Sequence, residues 1–179
     1  HLLRMAHYSR LIAAGLKLAP EEQQLIFVAA PMHDIGKVGI RDEVQLKPGP
    51  LSGEELTEMR LHANIGHDIL CGSTSLVLQA AAVIAVSHHE KFDGSGYPYG
   101  LAGDEIHLHG RIVALADVFD ALTSSRPYKN AWGMDQAAAY IREHSGTHFD
   151  PACVAVFFDA WDQVLEIRHN YGDKIDGAS

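Results

Sequence analysis

Residues 75–89 read SLVLQAAAVIAVSHH, and residues 25–34 read LIFVAAPMHD. Each is an apolar run that closes on a polar doublet, His88-His89 in one and His33-Asp34 in the other. The first run predicts a helix from about Ser75 to His88, since it is too long for an ordinary strand and holds no turn residue. The second belongs to a helix from about Glu21 to His33. Acidic Glu21 and Glu22 follow the break at Ala19-Pro20, as suits a helix first turn. Pro31 lacks an N–H donor and should kink that helix or tighten its end. Upstream, Leu3, Ala6, Leu11, Ala14 and Leu18 fall near helical spacing and predict a helix over 2–18. Between the doublets, Gly36, Gly39, Pro48, Gly49 and Pro50 mark a loop over 36–51. Ser52 with Glu55 is a capping box that opens a helix running to about Leu70. Residues 90–106 are glycine-rich and read as a long loop, often functional inside a compact domain. Further helices cover about His109–Leu122, Met134–His144 and Pro151–His169. No period-2 run is convincing. The expected fold is all-α, a bundle of about seven helices.

The 179 residues carry 47% hydrophobic and 21% charged side chains, which suits one soluble domain and excludes intrinsic disorder. No apolar run is long enough to span a bilayer. Two cysteines, Cys71 and Cys153, are too few for a disulfide scaffold or a cysteine-only zinc site, and they fit a reducing cytoplasm. They read as small apolar core or boundary residues. The net charge of −9 argues against a broad duplex-DNA footprint but leaves room for a small anionic substrate beside a local cation. Twelve histidines are the outlier; they are scattered, which excludes a purification tag. The chain starts at His1 without an initiator Met and reads as the catalytic part of a longer protein, with 159–179 as a C-terminal helix and tail.

His33, Asp34, His62, His88, His89 and Asp117 stand out. Neighbouring residues on a helix point about 100° apart, so a doublet serves two metals more easily than one face of a single metal. A carboxylate such as Asp34 can bridge two cations, and a pair of cations can clamp a phosphodiester. Imidazole and carboxylate donors suit Fe, Mn, Zn, Ni or Co. A single helix histidine is more often a surface or core residue, so His7, His67, His144, His148 and His169 count as background. His107 and His109, set in a loop, are read as structural.

The arrangement resembles a known family. His33-Asp34-Ile35-Gly36-Lys37-Val38-Gly39-Ile40 resembles the signature of the HD superfamily of metal-dependent phosphohydrolases. His88 through Pro98, with Gly94-Ser95-Gly96-Tyr97-Pro98 at its end, resembles the extended HD-GYP motif. Lys47-Pro48-Gly49, Asp117 through Thr123 and Arg126-Pro127-Tyr128-Lys129 follow in the family's order, so the resemblance covers about residues 1–158. It implies an all-α HD domain with the glycine-rich loop near the metals. It also implies hydrolysis of cyclic di-GMP to pGpG or on to GMP. The implied metal ligands are His33, Asp34, His62, His88, His89 and Asp117. His1, opening His-x-x-Arg with Arg4, matches a further ligand of trinuclear members. Those members carry a glutamate four residues before the position of His1, which this chain starts too late to contain. The resemblance therefore implies two divalent ions, with Fe or Mn foremost, and a third where the upstream ligand exists. Arg41 replaces a common proline, and Ile106-His107 a common Ile-Pro; both read as loop variation.

Lys37, one turn from His33, is expected to touch the scissile phosphate or protonate the leaving oxygen through water. Arg126 and Lys129 are expected to grip a substrate phosphate, Arg126 as a bidentate fork. Tyr97 offers a ring and a hydroxyl to substrate or loop. Asp93 is expected to cap a turn, and Glu90 and Asp120 to orient ligands. The resemblance also implies an N-terminal receiver or sensor domain, and contacts with GGDEF-domain proteins. The competing readings are a phosphohydrolase acting on another nucleotide and a non-catalytic cyclic di-GMP-binding module.

Overall fold

A computed structural model of the chain describes residues 1–125 and 130–171. All its regular elements are helical: α1 (Leu2–Gly15), α2 (Pro20–Ala29), α3 (Asp42–Gln45), α4 (Gly53–Arg60), α5 (His62–Leu70), α6 (Leu76–Ser87), α7 (Leu108–Thr123), α8 (Met134–Glu143), α9 (Pro151–Asp159) and α10 (Trp161–Asn170). Short 3-10 turns cover Ala30–Met32, Ile35–Gly39 and Gly103–Glu105. Extended backbone pairs only at isolated bridges among the described residues, Asp93 with Ala102 and Ser145 with Phe149.

Among the described residues ten helices stand where about seven were predicted, and the all-α expectation holds. Two predicted helices are each divided. The run from Ser52 keeps its capping box but breaks at Leu61, whose N–H bonds to Glu58 O at 3.0 Å in a tighter turn before α5. The run from Pro151 breaks at Ala160 (φ −102°, ψ 26°). Beyond that turn the Trp161 ring packs within 5.9 Å of Phe119, Phe157 and Phe158. Aromatic packing offsets the lost helical hydrogen bonds there. The third addition, α3, is a single turn inside the predicted loop. As expected, Pro31 tightens the end of α2 into a 3-10 turn.

The spacing read for α1 holds in part: Ala6 is buried and Leu11 and Leu18 pack against the core, but Leu3 is 52% exposed and Ala14 faces solvent, while Met5, Tyr8 and Ile12 are fully buried. Spacings of three and four residues also fit that set, and Tyr8 packs edge-on to Phe119 and Phe157. The core joins α1, α2, α6, α7, α8 and α9 through Ile26, Ile84, Ile112, Leu115, Phe119, Ile141 and Phe157. α6 is buried along most of its length, which explains its nearly continuous apolar sequence. No helix among the described residues is long and apolar enough to cross a membrane.

One glycine decides how the HD turn docks. A Cβ on Gly36 would stand 1.9 Å from His62 O and 2.4 Å from Gly66 N. The turn after Asp34 therefore lies directly on α5, and a larger residue would push Asp34 away from His62.

Candidate metal centre

The helix ends deliver the polar doublets to one place. His33 follows the 3-10 turn that Pro31 tightens, and Asp34 precedes the next. His62 opens α5. His88 caps α6, His89 follows, and Asp117 lies on α7. Two groups result. Asp34, His62, His88 and His89 bring ligand-type atoms within 4.8 Å of one another, and so do His1, His33 and Asp117.

Asp34 joins the groups. Its Oδ1 lies 3.4 Å from His62 Nε2 and 3.9 Å from His88 Nε2, while Oδ2 lies 3.4 Å from His33 Nε2. On the other side, Asp117 Oδ1 is 3.7 Å from His33 Nε2 and 3.6 Å from His1 Nε2. The expected set, His1 included, is brought together.

Backbone carbonyls fix the imidazole tautomers. The Nδ1–H groups of His33, His62 and His88 donate to Ala30 O at 3.0 Å, Met59 O at 2.7 Å and Ala85 O at 3.0 Å. Each ring thereby turns its Nε2 lone pair inward. Those three Nε2 atoms and Asp34 Oδ1 are buried without a hydrogen-bond partner. Several orphaned acceptors facing one another are costly unless something positive sits among them. The donor set fits divalent cations, and second hydrogen bonds from ligating histidines to backbone oxygens are typical of such sites.

Electrostatics agree. Burial pushes Asp34 up, but the neighbouring His33 imidazole, then Lys37, outweigh it and hold the carboxyl far below the usual range. Burial, then the neighbouring His89, lowers His88 well below its ordinary value. Burial, then His62, brings His89 to about 3. Burial also lowers His62. Burial opposes protonation of His33 as well, yet Asp34 and Asp117 together raise it. His62, His88 and His89 are thus neutral at pH 7, the form that ligates metal.

Around the cluster, Lys37 Nζ reaches Asp34 Oδ2 at 2.5 Å. The Tyr97 ring stacks on His89 with centroids 4.7 Å apart. Asp93 caps its turn as expected, accepting from Ser95 N at 2.9 Å. Asp120 meets His1 Nδ1 through its Oδ2, as an orienting group would. Glu90 differs from expectation. It touches no imidazole; its carboxylate accepts from Tyr99 N at 2.7 Å and Leu101 N at 3.0 Å. Buried at 2% exposure, it braces the glycine-rich loop. The loop folds back on its own start, and a Cβ on Gly96 would stand 2.3 Å from Lys91 N. Arg126 and Lys129 lie outside the described residues.

The background histidines stay apart from this centre. His109 bonds Glu22 at 3.0 Å, and His107 caps α7. His67 joins Asp68 and Cys71 in a third group of ligand-type atoms on the surface of α5, without the buried orphaned nitrogens of the main cluster. Of the cysteines, Cys153 is buried and Cys71 exposed. Sequence reasoning passed over Arg60, whose guanidinium lies 5.0 Å from the Tyr97 ring centroid. A cation two residues before a ligand-type histidine was the available signal.

An HD domain family model matches residues 1–153. The chain belongs to the HD domain family. This HD domain is 53% identical over 166 residues to the cyclic di-GMP phosphodiesterase response regulator RpfG of Xanthomonas campestris, covering 93% of this chain and 44% of that protein. It is 42% identical over 173 residues to the 3'3'-cGAMP-specific phosphodiesterase 2 of Vibrio cholerae, covering 97% of this chain and 33% of that protein. A cyclic di-GMP phosphodiesterase of Thermotoga maritima is 42% identical over 174 residues, with 97% and 47% covered. The HD chain therefore spans less than half the length of these relatives. Among solved structures, the cyclic GMP-AMP phosphodiesterase V-cGAP3 of V. cholerae aligns with a TM-score of 0.68 at 22% identity, covering 93% of this chain and 45% of that one. That likeness carries the fold. HD family membership implies use of divalent metal, and the paired clusters fit it.

Proposed function

We propose that this HD domain is a metal-dependent phosphodiesterase that hydrolyses cyclic di-GMP to pGpG or GMP. The observation that carries the proposal is Asp34, whose two carboxylate oxygens face two separate groups of ligand-type atoms. Relatives named as cyclic di-GMP phosphodiesterases support the substrate.

In this reading Asp34, His62, His88 and His89 hold one divalent cation, and Asp34, His33, Asp117 and His1 a second. Fe or Mn is foremost, Zn, Ni and Co are alternatives, and a third ion belongs to a longer chain with the upstream glutamate. Such a pair supplies Lewis-acid charge and an acidified water at neutral pH. The chain's own residues do the rest. The backbone carbonyls of Ala30, Met59 and Ala85 keep each Nε2 lone pair inward. Lys37 holds a proton beside Asp34 Oδ2, where it can neutralise phosphoryl charge or pass the proton toward the leaving oxygen. Tyr97, stacked on His89, walls the site against water from the loop side. Arg126 and Lys129 are assigned to substrate phosphate. The whole protein is taken to be longer and cytoplasmic, with a receiver or sensor domain, as the response-regulator relative suggests, and GGDEF-domain proteins as candidate partners.

A second reading is cleavage of 3'3'-cGAMP, favoured by the V. cholerae relative at 42% identity. Chromatography of products after anaerobic incubation with Fe²⁺ or Mn²⁺ tests both, with Asp34→Ala as control. The first reading expects pGpG or GMP from cyclic di-GMP, and higher kcat/KM for it than for 3'3'-cGAMP. The reverse order favours the second reading. Equal turnover by Asp34→Ala refutes both.

A further inference from the structure

Arg60 ends α4 at the protein surface, two residues before His62. Its guanidinium carbon lies 5.0 Å from the centroid of the Tyr97 ring. That ring stacks on His89 with an interplanar angle of 22°, and its centroid lies 6.4 Å from that of His62. One aromatic ring thus separates a guanidinium from the metal-ligand cluster. Other cations on this side have carboxylate partners: Lys37 has Asp34 at 2.5 Å, Arg41 has Glu58 at 2.6 Å, and Lys47 has Glu55 at 2.6 Å. Among the described residues no carboxylate lies within ion-pair distance of Arg60. A contact with an aromatic ring holds a guanidinium in place while leaving its N–H fork available to a ligand. In a chain of net charge −9, such a cation is a local attraction for an anion.

A cyclic dinucleotide carries two phosphodiesters on opposite sides of one macrocycle. With one at the clusters bridged by Asp34, the other must lie outward, toward the rim. We propose that Arg60 is a substrate-binding residue that grips this second, non-scissile phosphodiester, with Tyr97 as the spacer that sets its distance from the reacting centre. The inference rests on the phosphodiesterase reading above. Arg60 makes its contact far from the breaking bond, so the contact is equal in the ground and transition states and acts on KM rather than kcat.

The test is steady-state kinetics of metal-loaded wild type, Arg60→Gln and Arg60→Lys on two substrates. Cyclic di-GMP has the second phosphodiester; bis(p-nitrophenyl) phosphate has none. For Arg60→Gln on cyclic di-GMP, KM should rise about tenfold or more, the range for a lost charge-assisted hydrogen bond, with kcat unchanged within about twofold. Arg60→Lys should fall between, because an ammonium keeps the charge but loses the fork. On bis(p-nitrophenyl) phosphate both variants should match wild type. Unchanged KM for cyclic di-GMP in Arg60→Gln overturns the inference while leaving the phosphodiesterase reading intact. Equal losses on both substrates also overturn it, since Arg60 would then act by propping Tyr97. A wild type inert toward both substrates overturns the phosphodiesterase reading and the inference with it.

Discussion

Arg4→Met should destabilise the fold by about 3–5 kcal/mol, the cost of stranding a buried charge. Arg4 and Asp120 are both fully buried. The Arg4 Nε donates to Asp120 Oδ1, and Nη2 reaches Asp120 Oδ2 at 3.2 Å. Nη1 donates to Tyr171 O at 2.8 Å, which ties the end of α10 to α1. Methionine fills much of the same space but offers no donor, so the Asp120 carboxylate loses its buried counter-charge. For a domain of this size 1 kcal/mol is worth about 2–4 °C, so the melting midpoint should fall by about 6–20 °C. The double variant Arg4→Met/Asp120→Leu removes both charges and should recover much of that loss, since buried ion pairs are often replaceable by apolar groups. Urea and thermal unfolding of metal-free protein measure both variants. A single variant melting within 1 °C of wild type (roughly 0.3–0.5 kcal/mol) would refute the reasoning, as would a double variant no more stable than the single.

Glu90→Ala should leave the Tyr99 and Leu101 amides without their acceptor, at a cost of about 1–3 kcal/mol, and hydrogen exchange at those two amides should accelerate. His148 is held at about 4, chiefly by burial and then by the charge of Lys91. The unfolded chain therefore takes up this proton at higher pH than the fold does. Stability from His148 should be complete above pH 6.5 and fall as pH drops toward 4, and His148→Gln should flatten that part of a melting-point-versus-pH curve. Arg126→Ala should raise KM for cyclic di-GMP more than it lowers kcat; an unchanged KM removes Arg126 from the substrate site.

The helices and the two doublets were legible because both rest on local signals: apolar run length, a capping box at Ser52 and Glu55, and proline at 31. The convergence of positions as distant as His1 and Asp117 was not local, and the resemblance to a family supplied it. What stayed hidden depended on packing across the fold. Leu61 and Ala160 carry no breaker chemistry, yet helices end there because His62 must meet Asp34 and Trp161 must reach Phe119. On α1 the spacing legible in the sequence holds at Ala6, Leu11 and Leu18 but fails at Leu3 and Ala14, and packing across to Phe119 of α7 places Tyr8 in the core beside Met5 and Ile12. Glu90 sits beside two histidines in sequence, but its partners are amides nine and eleven residues on. Arg60 had one local signal, its place two residues before His62, while its ring partner Tyr97 comes from a loop distant in sequence.

The central claim is a pair of cation positions bridged by Asp34. Anomalous diffraction from crystals grown with Mn²⁺ or Fe²⁺ tests it most directly. The account predicts two peaks per chain, one bounded by His62, His88 and His89 and the other by His1, His33 and Asp117, with Asp34 between them and both weakened in Asp34→Ala. A single peak away from Asp34, or metal only at His67, Asp68 and Cys71, would contradict it.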